Sequence, residues 1–196
     1  MSKTILLATN NQHKLEEFQA MLTPAGYQVI SLKQANCYLD EAENGNSYQE
    51  NAIEKVKALQ SQYDGIILAD DSGIEISALD NQPGLYSARF MPELSQKEKN
   101  KEIVFQLKFV DDRVATFVCS LACHVPKLPL WVDQASCVGV ISKELAGKDG
   151  FGYDPIFIPD GHVQTFAQMD ASLKNKVSHR GLAVHKLLAY LRDNDE

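Results

Sequence analysis

Two adjacent aspartates, Asp70 and Asp71, stand where an apolar run ends in a Ser-Gly pair. The run Ile66–Ala69 predicts a buried strand, and the Ser-Gly pair predicts a turn that separates it from a second strand over residues 73–79. Neighbouring carboxylates repel each other, so stability alone does not favour them, whereas metal binding or proton transfer can use them. Taken alone, the pattern is more typical of a turn in which one aspartate accepts backbone N–H groups.

A polar segment between a predicted strand over residues 3–9 and a predicted helix is a candidate anion site. Asn10 or Asn11 is expected to cap this helix, whose N-terminal N–H groups and dipole favour a negative charge, and Lys14 adds a full positive charge. The Gly-x4-Gly-Lys spacing of a Walker loop is absent, and a capped helix with a solvated lysine explains the segment more simply. The candidate phosphate-binding residues are Thr9, Asn10, Asn11, Gln12, His13 and Lys14.

Further acidic residues extend the chemistry open to the aspartate pair. Together with that pair, Glu43 and Glu50 offer carboxylate oxygens of the kind that hold Mg²⁺ beside a substrate phosphate. Glu50 has a second explanation, because Ser47 and Glu50 have the spacing of a helix capping box. Lys55 lies on a different helical face from Glu50, and its position alone favours a solvated side chain.

Two later segments combine aromatic, glycine and basic residues. Residues 151–154 place two aromatic rings on a glycine-flanked loop, which suits stacking on a flat base, although aromatic rings are also common in cores. Positive charges gather at residues 174–180, around the start of a helix that Ser178 is expected to cap, and cations there oppose the helix dipole. Such a broken local rule is a hint of function. The candidates are Phe151, Gly152, Tyr153, Asp154, Lys174, His179 and Arg180.

The composition predicts an ordinary soluble globular protein, with 44% hydrophobic and 23% charged residues among 196. The formal net charge of −7 argues against a nucleic-acid partner but allows a phosphorylated small molecule bound by local cations and a metal. No stretch approaches the roughly 20 apolar residues of a membrane helix, so no membrane partner is expected. The four cysteines form no CxxC pair and suit core positions in a reduced cytoplasm.

The mixture of helices and strands, with antiparallel hairpins, predicts the α/β or α+β class, and the length fits a single α/β domain over residues 1–196 or two lobes that share a sheet. Strands are predicted at residues 3–9, 27–32, 66–70, 73–79, 113–125 and 130–142, the last two forming a hairpin. Helices are predicted after residue 10 or 11, over residues 47–63, and from residues 95, 170 and 178. The last helix is predicted to face inward with Leu182, His185, Leu188, Ala189 and Leu191.

Six motifs, taken in order, resemble those of the inosine triphosphate pyrophosphatases, which remove non-standard purine triphosphates from the nucleotide pool. The motifs are ATNNQHK, ENA, ADDSG, PGLYSAR, GFGYDP and KNKVSHRG. The resemblance runs from about residue 4 to residue 191, and the combination of ADDSG, GFGYDP and SHR in register is specific.

This resemblance implies a homodimeric enzyme that uses Mg²⁺ to hydrolyse ITP, dITP and XTP to the monophosphate and pyrophosphate. It implies an elongated two-lobed fold, a mixed sheet flanked by helices, with the active-site cleft between the lobes. If the strand continued through the aspartate pair, only one of the two could face that cleft. By position, the resemblance implies Asp71 as general base, Lys14, Glu50 and Lys55 as catalytic partners, Asp71 and Glu43 as metal ligands, and Ser72 with the candidates above as substrate contacts.

Two departures and three alternatives accompany this interpretation. Asn10 stands where many relatives carry glycine, and residues 133–139 differ from the usual segment, although neither changes the implied site. A nucleotide sensor without activity would not need Asp71 and the other acidic residues. A haloacid-dehalogenase-type phosphatase would need Asp-x-Asp after the first strand. The Maf-type pyrophosphatases are the nearest alternative, and the FGYDP and SHR motifs disfavour them.

Overall fold

Helices and strands are mixed along the chain in the computed structural model, which describes residues 3–40 and 45–194. The strands are β1 (Lys3–Leu7), β2 (Tyr27–Ile30), β3 (Ile66–Ile76), β4 (Gln82–Pro83), β5 (Val114–His124), β6 (Trp131–Ile141) and β7 (Phe157–Pro159). The helices are α1 (Gln12–Leu22), α2 (Tyr48–Leu59), α3 (Gln96–Gln106), α4 (Ala171–Val177) and α5 (His179–Asp193). Within these ranges, none of the helices is both long enough and apolar enough to cross a membrane.

The described strands form one mixed sheet in the order β2-β1-β3-β5-β6-β7, and β4 pairs with β3. β1 runs parallel to β2 and β3, whereas β4 and β7 run antiparallel to β3 and β6. Parallel neighbours need a crossover connection, and α1 supplies one between β1 and β2. β5 and β6 are neighbours, as the predicted hairpin requires. The α/β class, with a mixed sheet flanked by helices, is confirmed.

Side-chain caps determine where four helices begin. Asn11, Ser47, Ser95 and Asp170 each accept a hydrogen bond from a backbone N–H group in the first turn of the helix that follows. Ser95 and Glu98 form a complete capping box. Small oxygen-bearing side chains are preferred at this position because they satisfy N–H groups that have no partner within the helix. The predicted starts of α1, α2, α3 and α4 are therefore confirmed.

The strand that carries the aspartate pair differs from its prediction. β3 runs without interruption from Ile66 to Ile76, so the expected turn at residues 70–73 is wrong. Asp70 and Asp71 are buried within this strand, and their carboxylates are paired with side chains of two different helices. The aspartates therefore need no turn to satisfy them, and the strand continues through the Ser-Gly pair.

The chain divides into two compact units whose four boundaries fall inside β3, β5, β6 and the first turn of α5. Unit 1 comprises residues 1–71, 119–135 and 181–196, and unit 2 comprises residues 72–118 and 136–180. Unit 1 contains two apolar clusters, one that includes Ile5, Phe18, Leu68 and Leu187 and one that includes Leu6, Val56, Ile67 and Ala69. Unit 2 contains a cluster that includes Ile74, Ile103, Phe117, Phe157 and Phe166.

The apolar face of α5 is shifted from its predicted position. The buried residues that α5 contributes to the unit 1 core are Ala183, Val184, Leu187 and Leu191. Of the five residues predicted to face inward, Leu191 is buried and Leu188 is partly buried against this core, while Leu182, His185 and Ala189 are exposed. The prediction followed a stripe about one residue away, because leucines occur on both sides of the true buried stripe.

Arg113 joins the end of α3 to the end of β6 within unit 2. Its Nε atom donates to the carbonyl oxygen of Ile141 at 2.7 Å, and Nη2 donates to that of Ser142 at 2.6 Å. Nη1 donates to the carbonyl oxygen of Leu107, the residue that caps α3 at its C-terminus. Burial lowers the pKa of the guanidinium. One cation thus satisfies three backbone acceptors.

Candidate active site

The two aspartates point to opposite faces of β3. Leu68, two residues before Asp70, packs in the apolar cluster that contains α1, whereas Ile67 and Ala69 pack in the cluster that contains α2. Side chains two residues apart along a strand share a face. Asp70 therefore lies on the α1 face and Asp71 on the α2 face, so each carboxylate meets a different helix.

Asp70 is paired with the lysine of the predicted phosphate segment. Its side chain is fully buried, and Oδ1 forms an ion pair with Nζ of Lys14. The Sγ atom of Cys119 donates to Oδ2 at 3.1 Å. The carboxylate thus fixes the ammonium group of Lys14 beside the first turn of α1. Asp70 therefore supports the phosphate segment, while Asp71 lies on the other face of β3.

Asp71 is held between a cation and an amide. Nζ of Lys55 lies 3.3 Å from Oδ1, and Nδ2 of Asn51 donates to Oδ2 at 2.9 Å. Lys55 also donates to the backbone carbonyl of Asp70 at 3.2 Å. The side chains of Lys55 and Asp71 are only 11% and 6% exposed, so water screens their attraction weakly. Lys55 is therefore not the solvated residue that its position alone favoured.

Asn51 is a functional candidate that the sequence reasoning missed. It is 1% exposed, and its Oδ1 atom accepts the N–H of Gly45 at 2.8 Å while its amide nitrogen donates to Asp71. A β-carbon on Gly45 would lie 2.6 Å from this oxygen, so the contact requires glycine. The sequence did contain a signal for Asn51. It is a polar residue on the face of α2 that carries Ala52 and Val56, where the helical period predicts apolar residues.

The predicted phosphate segment is folded around its own side chains. Asn11 caps α1, and its Oδ1 atom accepts the N–H groups of His13 at 3.0 Å and Lys14 at 3.2 Å. The N–H of Asn11 donates to Oγ1 of Thr9 at 3.1 Å. Gln12 donates to a side-chain oxygen one turn later, and Asn10 is exposed at the tip of the segment. These contacts give the segment a fixed shape beside the ammonium group of Lys14.

The two glutamates have different positions. Glu50 is exposed, and its Oε2 atom accepts the N–H of Asn46 at 2.7 Å, so it helps to close the start of α2. Glu43, the predicted second metal ligand, lies outside the described residues. Among residues 3–40 and 45–194, no group of three or more histidine, cysteine, aspartate or glutamate residues is gathered as a metal site.

In unit 2, Asp154 organises the aromatic loop. Its Oδ2 atom accepts the N–H of Phe151 at 2.7 Å and forms an ion pair with Nζ of Lys174 at 2.6 Å. Asp154 is 3% exposed and Lys174 is 6% exposed, so both charges are buried and neutralise each other. Gly150 has a φ of +73°, and a β-carbon there would lie 2.1 Å from this oxygen, so the close approach requires glycine.

The two aromatic residues of the loop have unequal environments. Tyr153 is buried in the unit 2 core, its hydroxyl donates to the carbonyl of Ser87 at 2.7 Å, and burial raises its pKa. The carbonyl of Gly152 accepts from Nδ2 of Asn100 at 2.9 Å. The ring of Phe151 is partly buried and contacts two cations. Phe151 thus matches the stacking role better than Tyr153.

Two of the basic candidates, Lys174 and Arg180, contact the ring of Phe151. Nζ of Lys174 lies 5.2 Å from the centroid of Phe151, and the guanidinium carbon of Arg180 lies 5.7 Å from it. Nη2 of Arg180 donates to Oγ of Ser72 at 2.8 Å. His179, at the start of α5, stacks on Phe117. Direct contacts therefore join five predicted residues of unit 2, namely Ser72, Phe151, Asp154, Lys174 and Arg180. The phosphate candidates are grouped in the same way in unit 1.

Comparison with known proteins assigns these features to a family. A family model described as the Ham1 family matches residues 5–190. The chain belongs to the Ham1 family. The match includes β3, the segment at residues 9–14 and the basic residues at 174–180, so the Ham1 family and the resemblance in the motifs agree.

Individual relatives of this Ham1-family chain cover it almost completely. A dITP/XTP pyrophosphatase from Desulforamulus reducens is 41% identical over 95% of this chain and 94% of its own length. A dITP/XTP pyrophosphatase from Bacillus subtilis is 38% identical over 94% and 95%. The solved Ham1 protein of Staphylococcus aureus is 34% identical, with a TM-score of 0.85 over 98% of this chain and all of that one.

Proposed function

We propose that this protein hydrolyses the non-standard purine nucleotides ITP, dITP and XTP to the monophosphate and pyrophosphate, and so cleanses the nucleotide pool. Membership of the Ham1 family and its dITP/XTP pyrophosphatase relatives support this activity. The structural observation that supports it is the buried carboxylate of Asp71, held by Lys55 and Asn51. A fixed carboxylate beside a cation is suited to activating water next to a polyphosphate.

The reaction adds water across the anhydride bond between the α and β phosphates, and pyrophosphate leaves. Asp71 accepts the proton that the attacking water loses. Asn51 and Lys55, both from α2, hold its two carboxylate oxygens in a fixed orientation. Lys55 and Lys14 supply positive charge toward the charge that develops on the phosphates. Lys14 must then exchange part of its attraction to Asp70 for the substrate.

Mg²⁺ is part of this proposal. Asp71 fits the ion by its chemistry, because carboxylate oxygens are the hard donors that Mg²⁺ prefers. A cation of this kind takes one or two carboxylates together with substrate phosphates, and Glu43 remains the predicted second carboxylate. When bound, Mg²⁺ would acidify water and neutralise phosphate charge.

Base selection is assigned to unit 2. The ring of Phe151 stacks on the purine, and His179 and Arg180 supply hydrogen-bond donors to the 6-oxo group of hypoxanthine or xanthine. Adenine carries a 6-amino donor instead, so donors would face donors, at a cost of roughly 1–3 kcal/mol for each buried group left unpaired. ATP should therefore be disfavoured about tenfold to a few hundredfold. Guanine shares the 6-oxo group, so its exclusion depends on its 2-amino group, which we assign to crowding by the Phe151 loop. Xanthine has an oxo group at the same position, so this exclusion must be chemical as well as steric.

The proposal also includes assembly and location. A homodimer follows from the family resemblance, and a cytoplasmic location suits four cysteines that are all free thiols. Sedimentation of the purified protein measures its oligomeric state. A monomer at micromolar concentration would contradict the homodimer.

The experiment is a nucleotide panel assayed for product identity. Purified protein is given ITP, dITP, XTP, GTP and ATP with and without Mg²⁺, and pyrophosphate is measured separately from inorganic phosphate. We expect pyrophosphate and monophosphate from ITP, dITP and XTP, weak reaction of GTP and least of ATP, with activity abolished by a chelator and restored by Mg²⁺. Release of single phosphates, or equal kcat/KM for ATP and ITP, would refute the proposal.

A further inference from the structure

Phe117, a residue of β5 that no motif singled out, lies directly under one of the base-selecting residues. The rings of Phe117 and His179 are stacked with their centroids 4.5 Å apart and their planes only 6° from parallel. Phe117 is 7% exposed and His179 is 4% exposed, so the stacked pair is enclosed. An imidazole can rotate about its χ2 torsion, and a parallel ring at van der Waals distance restricts that rotation.

Further ring and cation contacts lead from Phe117 to the other candidates of unit 2. The ring of Phe166 lies 5.8 Å from that of Phe117, and Nζ of Lys174 lies 5.7 Å from the centroid of Phe166. The same ammonium group lies 5.2 Å from the centroid of Phe151, and Arg180 also contacts this ring. An unbroken series of ring and cation contacts therefore joins His179 to Phe151.

We propose that Phe117 is a positioning residue for base selection, because its ring fixes the plane of the His179 imidazole. This inference rests on the proposed function and adds to it the residue that sets the donor's direction. Hydrogen bonds weaken steeply as the donor turns away from its acceptor, so a tilted imidazole would distinguish a 6-oxo from a 6-amino group less well. Phe117 itself touches no substrate in this arrangement.

Phe157 provides a matched control. Its ring is fully buried and packs against the same two phenylalanines, 4.8 Å from Phe117 at 75° and 5.0 Å from Phe166. The substitutions F117L and F157L therefore remove one ring each from one core, but only F117L removes the ring that stacks on His179. F117M replaces F117L if the leucine variant does not fold, and F117Y keeps the ring.

The measurement is the ratio of kcat/KM for ITP to kcat/KM for ATP, with urea unfolding as a control for the fold. We expect F117L to lower this ratio by at least about threefold, since a misaligned donor loses part of its discrimination, while F157L changes it less than twofold and F117Y restores it. Both leucine variants should lower the unfolding midpoint to a similar extent. In an H179A background, F117L should leave the ratio unchanged, because the residue it positions is gone.

Three results would overturn the inference: an unchanged ratio in folded F117L and F117M, an equal loss in F157L, or a full additional effect of F117L in H179A. Failure of the proposed function is a different result, because the unmodified protein would then release no pyrophosphate from ITP. In that case the inference about base selection falls with the function that it refines.

Discussion

Replacing Asp71 by asparagine removes one negative charge and one of two hydrogen-bond acceptors with almost no change of shape. The carboxylate accepts from Lys55 on one oxygen and from Asn51 on the other, whereas an amide has a single acceptor oxygen. In the variant, the amide nitrogen must therefore face either the ammonium group of Lys55 or the amide nitrogen of Asn51, which places two donors against each other. We expect D71N to lower turnover of ITP at least about 10²-fold, the low end for loss of a general base.

The cost to stability follows from the same distances. At 3.3 Å and an effective dielectric constant of about 20, the attraction between Lys55 and Asp71 is about 5 kcal/mol, an upper bound because both groups lost hydration on burial. The measured destabilisation should therefore be about 1.5–3 kcal/mol, as for a lost hydrogen bond to a charged group. D71N/K55M, which also removes the stranded cation, should regain stability but no activity.

Pre-steady-state pyrophosphate release, measured beside urea unfolding, tests this reasoning. Asp133 supplies the matched control, because it also pairs with a lysine, Lys186, at 2.9 Å, but both side chains are well exposed. D133N should keep turnover and lose less than about 1 kcal/mol. A folded D71N protein with near-normal turnover would refute the assigned role of Asp71.

Three further predictions follow from other contacts. K14A should raise KM for ITP at least about tenfold and should also lower the free energy of unfolding, because it leaves the buried carboxylate of Asp70 without its cation; equal binding of inosine and ITP by the unmodified protein would contradict the phosphate assignment. R113M should cost about 2–4 kcal/mol in urea unfolding, because three carbonyls lose their donor; a loss below 1 kcal/mol would mean that water replaces it. Burial raises the pKa of Cys123 from 9.0 to about 12, so between these pH values the unfolded chain has lost a proton that the folded one keeps. Stability should then fall with rising pH by about 1.4 kcal/mol per unit from this thiol, and C123A should have a correspondingly shallower pH dependence.

Local chemistry explains the parts of the fold that the sequence predicted well. Helix starts at Asn11, Ser47, Ser95 and Asp170 depend on the capping residue and the few residues after it. The hairpin of β5 and β6 depends on two long β-type runs around a short connection that contains two prolines. Such features are decided within one or two turns of chain, so a single sequence contains the information.

The misses depended on partners distant in sequence. The Ser-Gly pair that follows Asp70 and Asp71 predicts a turn, whereas Lys14 of α1 and Lys55 of α2 neutralise the two carboxylates within a continuous strand. The contacts of Asn51 with Asp71 and of Phe117 with His179 become visible only when strands and helices are in place. The placement of the candidate residues therefore required the structure, although their identities came from motifs.

The division of unit 1 into three chain segments has a consequence for how the protein is made. Leu187 and Leu191 of α5 complete the apolar cluster that β1, α1 and β5 begin, yet the ribosome synthesises α5 after all of those elements. The nascent chain must therefore keep Phe18 without its final cover while the whole of unit 2 is translated, and Leu121 without its cover while residues 136–180 are translated. Binding by a holding chaperone during synthesis should protect this surface, and any fragment that stops before α5 should aggregate rather than fold.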